Sequence, residues 1–108
     1  MVAYLGEFEQ VVLLAALHLG EDAYGANVSE EIEARAGRKV SRGALYVTLD
    51  RLEDKGLVRS RLGDPKVNRG GRPRRYIKVT APGVRALRES RAALLDLWRG
   101  LEDRLQEP

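Results

Sequence analysis

The 108-residue chain has no cysteine, one histidine, one tryptophan and one phenylalanine. Without cysteine there is no disulfide framework and no thiolate metal site. The lone histidine, His18, has no companion at metal-ligand or nucleophile–base spacing, so packing at a helix end accounts for it better than ligation. The longest apolar stretch, Val11 to Leu17, is far short of the ~20 residues that span a bilayer. The first residues carry acids and not the basic n-region of a signal peptide; no membrane contact and a cytoplasmic location are the expectation. The glycine-rich segment Gly63 to Gly71, GDPKVNRGG, fits neither GxxxxGK[ST] nor a GxGxxG that opens a helix. With no nucleophile, metal cluster or phosphate loop, an enzyme has little support, and no cofactor is expected. The size suits a single domain with a modest core, of the kind that often leans on a partner subunit.

Charge of one sign is also missing locally. Residues 1–34 hold no lysine or arginine and seven acids, whereas residues 35–78 hold fourteen bases against four acids. Residues 79–108 are balanced, five against five, so the net charge of +3 conceals a strongly basic middle. Such a footprint fits an anionic partner better than a generally basic protein. The bland reading, a solvated charged face, is weakened because the bases fall on one short helix and one hairpin.

Periodicity then gives the elements. Gly6 to Leu19 carries Phe8, Val11, Val12, Leu14, Ala15 and Leu17 at spacings of three and four, with Glu7 and Glu9 in the first turn and Gly20 as the stop. After a turn over Gly20 to Ala23, Tyr24 or Gly25 to Ala36 reads as a second helix, with Val28, Ile32 and Ala36 in phase and Gly37 beyond its end. Glu30, Glu31 and Glu33 there read as a solvated face, since no catalytic partner accompanies them. Ser41 caps a third helix ending at Gly56. Its Leu45, Leu49 and Leu52 must face the core, with Gly43, Ala44, Val47, Asp50 and Arg51 roughly opposite and Arg42 and Tyr46 on one flank. Leu57 to Leu62 and Arg72 to Val79 alternate as the strands of a hairpin. Thr80 caps a last helix, with Pro82 in its first turn, predicted to run to about Leu105. Val84, Leu87, Arg91, Leu94, Trp98, Leu101 and Leu105 follow one another by three and four, as in a coiled-coil seam.

Three helices, a two-stranded hairpin and a long helix make a mainly α fold, a winged helix-turn-helix with a C-terminal dimerisation helix. We divide it into residues 1–80, a DNA-binding part, and 81–108, the dimerisation helix, in one compact unit. The third helix is expected to enter the major groove, which admits one helix. Ser41, Arg42, Gly43, Tyr46, Val47 and Arg51 are the expected contacts. Arg42 reaches a guanine edge, Tyr46 and Arg51 position the helix on phosphates, and Gly43 and Val47 permit close approach. Partial burial against the wing is an equal alternative for Tyr46. Asp50 would repel phosphate and should point away or pair with a base. Arg69, Arg72, Arg74 and Arg75 in the wing are expected on backbone or minor groove. The dimer interface is expected to use Val84, Leu87, Arg91, Leu94, Trp98, Leu101 and Leu105, with Phe8 from the first helix. Trp98 is also a candidate contact for a flat apolar ligand, although a packed interface tryptophan is the stronger reading. A winged-helix module for an acidic protein or RNA remains the competing class.

Several segments also form a known pattern. Leu5-Gly6-Glu7-Phe8-Glu9, Ala23-Tyr24-Gly25, Gly43-x-Leu45-Tyr46-x-x-Leu49-x-Arg51-Leu52-Glu53, Gly56-Leu57-Val58, Gly71-Arg72-Pro73-Arg74-Arg75-Tyr76 and Thr80-x-x-Gly83 occur in that order over nearly the whole chain. In this the chain resembles the PadR family of bacterial transcriptional regulators, in its short form with a single C-terminal helix. Ile77 departs from the pattern where the family usually has a second aromatic. The resemblance implies a homodimer on an inverted-repeat operator, usually acting as a repressor, and in some members released by a small aromatic or drug-like effector.

Overall fold

A computed structural model describes residues 5–64 and 73–106. Helix α1 spans Glu7–Leu19, α2 Gly25–Ala36, α3 Arg42–Asp54 and α4 Ala81–Trp98; strands β1, Val58–Leu62, and β2, Arg75–Val79, form the wing. Short 3-10 turns occupy Gly20–Asp22 and Asp103–Leu105.

The helices begin and end where local chemistry says they should. Ser41 Oγ accepts from the Ala44 N–H at 3.1 Å, and Thr80 Oγ1 accepts from the Gly83 N–H at 3.2 Å, each satisfying an otherwise orphaned donor of a first turn. Gly37 ends α2 in the left-handed region at φ 65°, a conformation only glycine adopts freely. The apolar faces of α1, α2 and α3 meet in one core of Val12, Leu13, Val28, Ile32, Leu45, Leu49 and Leu52, all at most 2 % exposed. Burying each leucine contributes about 1.5–3 kcal/mol, which fixes α3's phase and leaves its other side to solvent.

The two strands pair antiparallel, Val58 opposite Val79 through to Leu62 opposite Arg75. Val58 and Ile77 turn inward to the core. A third segment joins them: Tyr24 bridges Tyr76, and the Ile77 N–H donates to the Ala23 carbonyl at 2.9 Å. The sequence places Ala23 in a turn and Tyr24 at the edge of the second helix, because a single bridge depends on tertiary placement and leaves no alternation to read.

The last helix is shorter than predicted. It stops at Trp98; Arg99 turns extended, and Gly100 takes φ 85°. The predicted seam to Leu105 is therefore broken: Leu101 and Leu105 lie beyond α4, Leu105 in the following 3-10 turn. Glycine at 100 makes that left-handed turn available at no steric cost, and the spacing of Leu101 and Leu105 hides it.

Candidate nucleic-acid interface

On α3 the exposed side consists of Arg42, Gly43, Ala44, Val47 and Asp50, opposite the buried leucines. Ser41 serves as the helix cap at the same end. Tyr46 is half-buried, and its phenol packs so closely on Gly25 of α2 that a Cβ there would overlap its hydroxyl. Tyr46 nonetheless lines a cleft of about 610 Å³, together with Tyr24, Arg42 and Arg74, where α2, α3 and the wing converge. Arg51 is exposed at the far end of α3, where its charge bears on Glu9 of α1.

Arg74 and Arg75, adjacent in sequence, have different surroundings. Arg74 is exposed and lies over the Tyr24 ring, 4.3 Å from its centroid. Tyr24 meets Tyr76 edge to face at 5.8 Å, and Arg61 lies over Tyr76 at 4.4 Å. These contacts hold two guanidiniums in place while leaving their charge open to solvent. Arg75 instead points back to α3, with Nη1 donating to Asp50 Oδ1 at 2.9 Å, Nη2 to Glu53 Oε1 at 3.4 Å, and Nε to Ser60 Oγ at 2.9 Å. Arg75, an expected phosphate ligand, is thus engaged within the chain, and Asp50 pairs with it. Arg69 and Arg72 lie outside the described residues.

Sequence reasoning passed over Tyr24, Arg59, Arg61, Tyr76 and Lys78. Strand alternation puts Arg59 and Arg61 on one face, and the register sets Arg59 directly opposite Lys78 and Arg61 opposite Tyr76. Like charges placed so are mutually destabilising, which suits a surface that meets an anion.

At the other end, the predicted interface residues divide. Leu87 is buried in its own chain's core and Val84 is half-buried. Phe8 is half-buried, packed against that core with Arg38 over its ring at 5.0 Å. Arg91, Leu94 and Trp98 are exposed. Leu14 and Leu17 of α1 join Leu94, Leu95 and Trp98 around an apolar groove of about 480 Å³.

Glu9 ties the start of α1 to the C-terminal end of α3. Burial alone would raise its carboxyl, but hydrogen bonds from Lys55 Nζ at 2.8 Å and the Gly6 N–H at 2.9 Å outweigh burial and hold it below the ordinary carboxylate range. Among the described residues no group of His, Cys, Asp or Glu is arranged to hold a metal ion, and no helix is long and apolar enough to cross a membrane.

Known proteins share this arrangement. The family model described as the transcriptional regulator PadR-like family matches residues 13–89. Transcriptional regulator Rv3488 of Mycobacterium tuberculosis is 42% identical over 98 residues, covering 86% of this chain and 85% of that protein. A PadR family transcriptional regulator from Eggerthella lenta superposes with a TM-score of 0.69 at 32% identity, over 94% of this chain and 88% of that one. F93 from STIV, a winged-helix DNA-binding protein, shares the fold at 18% identity, with a TM-score of 0.71 over 91% of this chain and 98% of its own. This chain belongs to the PadR-like family of transcriptional regulators, not to a family of enzymes, and has the winged-helix fold.

Proposed function

We propose that two copies of this chain bind an inverted-repeat operator as a cytoplasmic repressor, with residues 1–80 reading DNA and α4 with its continuation to residue 108 pairing the subunits. The observation that carries the reading is α3 itself. Three buried leucines fix one side, and the opposite side presents Arg42 between a capped N-terminus and the small residues Gly43 and Ala44. Arg42 meets a guanine edge, where a bidentate contact is worth ~1–3 kcal/mol of discrimination. Val47 meets a thymine methyl, and Ser41 and Gly43 lie against the backbone. Tyr46 and Arg74, at the convergence of α2, α3 and the wing, bind phosphates, joined by Arg69 and Arg72. The exposed apolar side of α4 supports the pairing of subunits. The groove beside Trp98 is where a small aromatic effector would bind and release the operator, a property carried over from the resemblance.

The test is fluorescence anisotropy with the DNA upstream of the protein's own gene, beside a scrambled duplex, at two salt concentrations. Tight, sequence-dependent binding of two subunits is expected, and Arg42→Ala should lose about tenfold or more on the operator while relaxing preference at one base pair. Equal, salt-labile binding to both duplexes would reject the reading in favour of an acidic protein or RNA partner.

A further inference from the structure

We infer that Arg75 is a positioning residue of the DNA-binding surface: it fastens the wing to the reading helix and offsets two carboxylates there, without itself touching phosphate. The inference rests on the DNA-binding reading of α3 and the wing.

Strand parity starts the argument. Arg75 shares its face of β2 with the buried Ile77 and the half-buried Val79, so it is turned toward the helices. Its side chain is 24% exposed, against 67% for Asp50 and 44% for Glu53. The planar guanidinium offers donors in fixed directions, and here they go to three partners on two other elements: Asp50 and Glu53 of α3, and Ser60 of β1. Ser60 Oγ also donates to Glu53 Oε1, closing the network. Swinging Arg75 out to a phosphate would break all three contacts. It would also leave two carboxylates facing the DNA backbone with no cation beside them.

Exposed ion pairs add little stability, so the consequence of this network is placement. A two-stranded wing is marginal alone, and its direction relative to α3 decides whether Arg74 and its neighbours reach the duplex while α3 lies in the groove. The sequence contains a signal for this role: Arg75 has the parity of Ile77 and Val79, whereas Arg74 has that of Tyr76.

The experiment uses the full chain and the operator duplex. Arg75→Gln should weaken operator binding about tenfold, the size of one misfitted contact. Adding Asp50→Asn and Glu53→Gln to Arg75→Gln should regain about threefold, because the unbalanced carboxylates are then gone. In the free protein, Arg75→Gln, and separately Asp50→Asn with Glu53→Gln, should speed amide exchange along β1 and β2 and leave α1 unchanged, which the loss of a plain phosphate ligand would not do. No regain, or wing exchange that neither variant alters, overturns the inference. Failure of the wild type to prefer any duplex would instead sink the operator reading and leave the exchange result standing.

Discussion

Glu9 is only 7% exposed, and its two oxygens serve partners 3 and 46 residues away, the Gly6 N–H and Lys55. A first-turn acid suits the helix dipole, and that much is legible in sequence. The ion pair to Lys55 is not, because it exists only once α3 is laid against α1. The folded carboxyl is held below its ordinary value. Its contribution is therefore present above the unfolded-state pKa and is lost as pH falls through the folded one. Glu9→Gln keeps an acceptor for Gly6 but drops the charge. Lys55 is about a third exposed, which screens the pair, so a loss of ~1 kcal/mol at neutral pH is expected. Urea unfolding at neutral pH and below pH 4 checks this: wild type and variant should converge in acid. A variant as stable as wild type at both pH values would mean that relief from burial cancels the pair.

At the scale of elements, most boundaries are legible because periodicity, caps and glycines agree. Ser41, Thr80 and Gly37 each act where their chemistry predicts. The departures come from contacts with no local signature: the bridge of Tyr24 to Tyr76, Tyr46 lying on the bare Gly25, and Arg38 covering Phe8. The junction of wing and α4 follows the same rule. Thr80 bonds the carbonyls of Gly56 and Leu57 through its hydroxyl and its N–H, and Gly83 sits so close below that an added Cβ would collide with the Leu57 carbonyl oxygen. Alanine is the better helix former by about 1 kcal/mol, yet the obstacle is backbone and cannot swing away. Overpacking costs ~1–3 kcal/mol, so Gly83→Ala should be net destabilising by up to about 2 kcal/mol in thermal or urea unfolding. A more stable variant would show that the wing shifts freely from α4.

For the molecule as a whole, the radius of gyration is 15.9 Å and the longest extent 54 Å, against ~13 Å expected for a compact chain of this size. The excess reflects a last helix whose second half extends past the core: every residue from Arg91 to Trp98 is exposed, including Leu97 at 72% and Trp98 at 50%. Apolar surface concentrated in this way is what the proposed pairing of subunits would cover; the spacing in the sequence points to the same surface, although it places the end of the helix too late. Leu94 is the sharpest probe, because it lies on the groove yet is half-exposed in the single chain. A glutamate there costs the protomer little and places a charge inside the proposed interface. Light scattering across a concentration series should give a dimer for wild type and a monomer for Leu94→Glu, with the helical signal unchanged. On the operator the variant should bind one half-site at a time, with the salt slope roughly halved as the phosphate contacts fall to those of one head. A monomer mass for both proteins, or an unchanged dimer for Leu94→Glu, would end the proposal that α4 pairs the subunits.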